Sequence, residues 1–443
     1  MNSSLNIKIG YISLIKFTAP TIIANVFMCI YSIVDGIFVS NIIGTDALSA
    51  VNIVMPYVTI ILSIGTMIGT GGSAYVAKQL GEGKMKEAKE NFTMLILICF
   101  IGCTITAVLS LIFCNPLLRL LGADDAIFNY CYNYAIPLFI ISPLTLLGVA
   151  LQSFFITAAR PALGMAFSII GGVVNILLDW LLIAVFKFGV MGAALATSIG
   201  YSIPAVFGLI YFAFYRKGLL CFIKPKYRFK VLVKASTNGS SEMVSTLSAG
   251  LTTVMMNNII MDICGATGVA AFSILIYAMM LLTSIYFGYA MGIAPIISFN
   301  HGAKNTVKLK CAHRINLIYI ISSSIIVFLI GIPLRNSLIS IFADSSTDVY
   351  SIAYNGYLIF STCFLFMGIN MYSSSLFTAL GDGKTSAIIS FCRGLLFLTI
   401  ALYTLPYIFG LHGIFMALPV AELLGAVLSF YYIKKYKSKY NYA

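Results

Sequence analysis

Residues 171–197 read GGVVNILLDWLLIAVFKFGVMGAALAT. Two apolar runs flank a short turn around Lys187 and Gly189, and the first run carries Asn175 and Asp179. A spacing of four places both on one face of a helix. An ionisable group in hydrocarbon is costly enough to mark a functional-site candidate. The stretch IYSIVDGIFVS around Asp35 repeats the situation early in the chain, with no basic residue within a helical turn or two.

These islands of polarity sit in a chain of 443 residues that is 60% hydrophobic and only 9% charged, far from the soluble globular range. The reading is an all-α integral membrane protein. Apolar runs long enough to cross a bilayer, which takes roughly 20 residues each, fall at 12–39, 48–76, 92–114, 127–156, 161–186, 190–215, 235–263, 269–298, 311–333, 350–379, 386–409 and 412–433. They predict twelve transmembrane helices. Short strands of alternating polarity are absent, which argues against a barrel.

The net charge of +13 could suggest nucleic acid, but its placement follows the membrane. With the N-terminus inside, 24 of the 27 basic residues fall on cytoplasmic segments, seven of them between Arg216 and Lys234, and only Arg119, Lys187 and Arg335 fall outside. The positive-inside rule then puts both termini in the cytoplasm of a cell (inner) membrane protein. No nucleic-acid partner is expected. The basic stretch 216–234 reads as a topological anchor and linker.

Cys29, Cys99, Cys103, Cys264, Cys363 and Cys392 lie in apolar spans and read as small packing residues. No C-x-x-C pair points to metal or redox chemistry, and no cofactor is expected. The first span lacks a small-residue cleavage pattern and is expected to be retained.

An offset of 221 lays the second half on the first. Gly44-Thr-Asp-Ala falls on Gly265-Ala-Thr-Gly, Gly71 on Gly292, Gly81 on Gly302, and Phe188-Gly-Val-Met-Gly192 on Phe409-Gly-Leu-His-Gly413. An even number of spans per half makes this a parallel repeat of two six-helix bundles, related by an axis along the membrane normal. The expected division is an N-terminal lobe at 1–215, a linker at 216–234 and a C-terminal lobe at 235–443. Positions 35, 175 and 179 map onto Met256, Leu396 and Ile400, so the polar cluster exists in the first half alone.

Depth gathers the polar residues. At about 1.5 Å per helical residue, Asp35 lies ~13 Å below Gly44, Asp179 ~15 Å and Thr197 ~12 Å below Gly189, and Asn52 ~12 Å below Gly44. Two carboxylates at one level suit a Na+ held by oxygen ligands or a shared proton, because neighbouring like charges raise one pKa. A satisfied interhelical hydrogen-bond cluster is the competing reading.

Taken together, Tyr31-Ser-Ile-Val-Asp35-Gly-Ile-Phe-Val39, Asn175-Ile-Leu-Leu-Asp179 and Phe188-Gly-Val-Met-Gly192-Ala-Ala resemble the multidrug and toxic compound extrusion (MATE) transporters, in their DinF-like and MepA-like branch. The resemblance covers nearly the whole chain. It implies that Asp35 and Asp179 bind the coupling cation, that Asn175 and Thr197 assist, and that the first helix bends at Pro20, where proline removes a backbone hydrogen bond. The NorM-like pattern of acids on helices seven and ten fits less well, since 350–380 holds no carboxylate. Glu242, early in the seventh span, reads as a cavity-wall acceptor or a contact for a cationic substrate. Glu422 follows Pro419 and reads as structural, a partner for Arg393 or for a freed backbone group.

The resulting expectation is a secondary antiporter. Na+ or H+ enters the N-terminal lobe, and an amphipathic organic cation leaves by alternating access, the protein acting as a monomer in the bilayer. No G-x-x-x-x-G-K-[ST] segment is present to bind ATP. A flippase or exporter of a lipid-linked precursor is the alternative, and would favour a cationic cavity. An intramembrane enzyme lacks its constellation: Asp124-Asp125 is the only adjacent acidic pair and stands on an external loop. His301, His313 and His412 read as solvated. Of the methionines at 255, 256, 279, 280 and 291, some are expected to line an adaptable cavity, with sequence unable to say which.

Overall fold

The computed structural model describes Leu5, residues 7–38 and residues 45–443, with side chains at 5, 7–34 and 49–443. Among the described residues every regular element is a helix, with no strand. In order, the elements are α1 (Tyr11–Phe38), α2 (Thr45–Gly81), α3 (Met85–Ile112), the short α4 (Cys114–Leu120), α5 (Phe128–Thr157), α6 (Pro161–Asp179) and α7 (Gly189–Phe214). The second half runs through α8 (Phe229–Gly302), α9 (Thr306–Ser340), α10 (Asp348–Ser361), α11 (Phe364–Leu380), α12 (Gly383–Phe391), α13 (Phe397–Phe409) and α14 (Leu411–Tyr440).

Ten of these helical stretches, some joined through π turns, are long and apolar enough to cross a membrane. The pair α10 and α11, bent by 53°, makes an eleventh span. The twelfth comes from α8, which is broken at Gly265, where φ is +62°. That conformation suits a residue without Cβ, so the loop expected between the seventh and eighth spans is compressed into one glycine. Gly44, its mate in the repeat, lies outside the described residues. Gly189 and Gly410, also mates, share a positive φ, +58° and +55°.

Helices outrun the apolar spans at the end of the molecule that carries the termini. There α2 continues to Gly81 and α8 begins at Phe229, so Lys230 and Lys234, placed in the linker from sequence, are helical. A helix satisfies its own backbone groups in water as in lipid, and the hydrophobic boundary does not end it. The remaining linker docks on the first half. Phe222 stacks on Phe92 with ring planes 2° apart, Leu220 is fully buried, and Arg228 reaches Glu90 at 2.9 Å and Asn91 at 3.3 Å.

The halves meet closely at that same end. A Cβ on Gly71 would overlap the Ala235 carbonyl, one on Gly239 the Met67 carbonyl, one on Gly81 the Phe299 carbonyl and one on Gly302 the Lys78 carbonyl. On the mirrored crossing, a Cβ on Gly288 would stand 2.6 Å from the Cα of Ile22, and one on Gly292 3.0 Å from the Thr18 methyl. Small residues let backbones approach, as in membrane helix pairs generally. Because the repeat maps 67, 71, 78 and 81 onto 288, 292, 299 and 302, both halves supply the same surface to the seal.

Candidate functional site

Above the sealed end the halves separate around a cavity of about 1190 Å³. The first half contributes Asn52, Met55, Thr59, Thr70 and Ser73 from α2 and Ser153 from α5. The second half contributes more of the wall, including Glu242, Asn257, Met279, Met371, Arg393 and Glu422. Of the five methionines singled out in the sequence, 256, 279, 280 and 291 line the cavity, whereas Met255 packs into the core of the second half. Met55, Met367 and Met371 join them. A flexible thioether wall adapts to ligands of different shape.

Among the described residues, three charged side chains line this space. Glu422 is 3% exposed, and both of its carboxylate oxygens are engaged: Arg393 donates from Nη1 to Oε1 at 3.0 Å, and Asn370 donates from Nδ2 to Oε2 at 2.6 Å. Asn370 also bonds the Glu422 carbonyl, and its own Oδ1 accepts from Ser429 at 2.9 Å. Arg393 is the partner that the sequence offers Glu422, although the charge count places it on a cytoplasmic segment. It stands instead in the wide π turn Cys392–Leu396 after α12, ten residues into the span, where a guanidinium persists because a buried carboxylate faces it. Glu242 has no hydrogen bond or ion pair from its carboxylate among the described residues.

A second polar region lies inside the first half, in the seam between α6 and α7. Gly172 packs against Phe27 and Tyr31 of α1, and Gly200 of α7 lies so close to α6 that a Cβ there would stand 2.8 Å from the Asn175 Cβ. Asn175 is 2% exposed and Asp179 is fully buried. Neither the oxygen nor the nitrogen of the Asn175 amide has a hydrogen-bond partner, and Thr197 Oγ1 and Ser198 Oγ are likewise buried without one. Asp179 is followed by a second π turn, Trp180–Val185, a distortion common at functional sites. Nothing in the local sequence announced it.

The other sequence candidates resolve as follows. Asp35 belongs to α1, but its side chain lies outside the described residues. Asn52, grouped by depth with Asn175 and Asp179, is exposed on the cavity wall, because α2 turns that face to the space between the halves. Pro20 is half-buried within a continuous α1. His313 corrects the expectation of solvation. It is 4% exposed, its Nδ1 lies 2.9 Å from the Tyr372 hydroxyl, and the ring of Tyr442 from the chain end covers it. His301 is half-buried and His412 exposed. The ten cysteines are all free. Groups of three or more His, Cys, Asp or Glu suited to a metal are absent among the described residues.

Comparison with known proteins finds the MatE family matching twice, over residues 20–181 and 242–403, within one residue of the offset read from the glycines. The multidrug export protein MepA of Staphylococcus haemolyticus is 23% identical over 430 residues, 96% of this chain and 94% of that protein. Among solved structures, a variant of the Vibrio cholerae MATE transporter VcmN superposes with a TM-score of 0.88 at 22% identity, covering 98% of both chains. A MOP superfamily transporter from Pyrococcus furiosus, described as having a binding pocket of reversed polarity that suggests a different function, gives 0.89 at 20% identity, covering 96% of this chain and 95% of that one.

Proposed function

The chain belongs to the MatE family and is a multi-pass membrane transporter, not an enzyme; from that premise we propose that it is a cation-coupled antiporter that exports amphipathic organic cations. The observation that carries this reading is the Asn175 amide, buried with both polar atoms unpartnered one helical turn from the buried Asp179. A merely structural cluster would be closed by its own hydrogen bonds, since an orphaned buried polar group costs about 1–3 kcal/mol. Polar atoms left open in this way suit a guest that comes and goes.

The residues fit either coupling ion. The Asn175 Oδ1 and Thr197 Oγ1 with the Asp179 carboxylate are hard oxygen donors for Na+, and Asp35 with Asp179 would supply the carboxylates for a shared proton. Ion binding in this lobe biases the two lobes toward one closure, and the substrate leaves from the cavity between them. The glycine crossings seal the end with the basic linker. By the distribution of Lys and Arg that end is cytoplasmic, which makes the conformation outward-facing. The name of the staphylococcal relative supports a drug-like substrate, and the thioether-rich wall suits one.

The flippase reading calls for free positive charge to meet phosphates. Arg393 is the one cation on the described wall, and Glu422 already holds it. The test is efflux of a fluorescent organic cation from proteoliposomes with Na+ and proton gradients imposed separately. One gradient is expected to drive wild-type efflux, and Asp179→Asn and Asp35→Asn are each expected to abolish it at normal expression. Undiminished efflux in both variants would remove the ion site from this lobe.

A further inference from the structure

We propose that Arg393 is a specificity-determining residue that locks Glu422 into a closed pair, leaves Glu242 as the single acid on the described cavity wall without a hydrogen-bond or ion-pair partner, and so fits the cavity to monocationic rather than dicationic amphiphiles. The inference rests on the reading of the cavity as the substrate site. Its premise is a count of side-chain types among the described lining residues: Glu242 and Glu422 are acidic, and Arg393 is basic.

The two carboxylates are not interchangeable. Glu422 is held on both oxygens, by Arg393 at 3.0 Å and Asn370 at 2.6 Å, and Asn370 is itself fixed by Ser429 at 2.9 Å. The backbone closes over this group, for a Cβ on Gly425 would stand 2.9 Å from the Asn370 Nδ2 and 3.2 Å from the Arg393 Cβ. A substrate cation reaching for Glu422 must break a buried ion pair and strand the guanidinium, which is costly. Glu242 requires no such exchange.

A ligand with one positive charge therefore finds one partner in Glu242. A second positive charge in the same cavity faces Arg393 with no free carboxylate to offset it, and in surroundings of reduced dielectric that repulsion is weakly screened. Polarity of the pocket is thus set by a pairing within the second half, not by the number of acids in the sequence.

The test is calorimetric titration of the purified full-length protein in detergent with tetraphenylphosphonium, a monocation, and dequalinium, a bis-cation. Wild type is expected to bind the monocation at least tenfold more tightly, about 1.4 kcal/mol. Arg393→Gln, which frees Glu422, is expected to shift the preference toward the bis-cation by at least tenfold, and Arg393→Gln with Glu422→Gln to restore the wild-type order. Should Arg393→Gln fail to fold by thermal melt, Glu422→Gln alone tests the same idea, since it leaves Arg393 uncompensated and is expected to weaken the bis-cation more than the monocation. Equal affinity of wild type for both probes, or unchanged preference in the variants, overturns the inference while leaving the cavity as the substrate site. Binding of neither probe overturns both.

Discussion

The two halves of this molecule share a backbone plan, yet each carries a buried polar cluster, and the two clusters are held in opposite ways. In the first half the amide of Asn175 and the hydroxyls of Thr197 and Ser198 are buried without partners beside Asp179. In the second half Arg393, Glu422, Asn370 and Ser429 form a chain in which each group engages the next. Neither arrangement has its counterpart across the repeat: Asn175 and Asp179 map onto Leu396 and Ile400, while Arg393 and Glu422 map onto Gly172 and Tyr201. A duplicated scaffold has acquired an open polar site on one side and a closed one on the other. On the function proposed above, the open site is a cost to stability retained for a ligand, and the closed site holds the wall of a cavity.

The sharpest way to break this contrast is to truncate the closed side. Glu422→Ala leaves a buried guanidinium alone and is expected to lower stability by about 3–5 kcal/mol, read as the midpoint of thermal unfolding in detergent. Removing both charges as Arg393→Met with Glu422→Leu is expected to recover most of that loss. If the single and double variants melt alike, Glu422 and Arg393 do not depend on each other and the pair is not closed.

The open side should behave in reverse. Asn175→Leu is expected to cut gradient-driven efflux by about a hundredfold, equivalent to about 2.8 kcal/mol, while the melting midpoint in Na+-free buffer stays level or rises, because an orphaned amide has been replaced by an apolar group. A lower midpoint would show that Asn175 is a structural member of a satisfied cluster.

Between the halves lies the shared seal. Gly239→Ala places a methyl against the Met67 carbonyl, and overpacking of this kind costs about 1–3 kcal/mol. Faster amide exchange is expected over 67–81 and 235–239, with the α6 and α7 seam unaffected. Protection unchanged at those segments would mean that the seal is not the tight contact between halves.

The smallest effect is expected at the surface of the second half, where closure of charges on themselves continues. Asp382 caps α12 through the Thr385 N–H at 3.2 Å, accepts from the Tyr440 hydroxyl at 2.7 Å and lies 3.6 Å from Lys439. Burial pushes its carboxyl up, but the bonds from Tyr440 and Thr385 and the Lys439 charge outweigh it and leave the pKa below the ordinary aspartate value. The anchoring of the chain end is therefore complete above the ordinary value and lost as pH falls through the lower folded one. Asp382→Asn is expected to weaken it by about 1 kcal/mol and to raise carboxypeptidase cleavage of the last residues at neutral pH. Wild type should reach similar cleavage only in acid.

Much was legible before any coordinates, because what the bilayer demands is local. Apolar spans of a set length, basic residues crowded at alternate ends, and a glycine pattern returning after 221 positions are properties of neighbours in sequence. They sufficed for twelve spans in two parallel halves. Asn175 and Asp179 stood out for the same reason, as polar residues in a run that lipid would otherwise make apolar. Local reasoning failed where a residue's meaning depends on what it faces. The Arg393–Glu422 pair is one that the sequence offers, and it forms at 3.0 Å, but nothing there offers Asn370 and Ser429 to complete it, and His313 reads as solvated although the ring of Tyr442 covers it.

By itself, then, the sequence determined the class, the repeat and the odd polar residues of the first half, since hydropathy and periodicity need no partner to act. Tertiary structure alone decided which methionines line the cavity, that Asn370 and Ser429 complete the Arg393–Glu422 pair, and that glycines of both halves close one end. Those are facts of facing. The side a transmembrane helix presents to its neighbours is set by packing between helices distant in sequence, which an apolar pattern on every side does not encode.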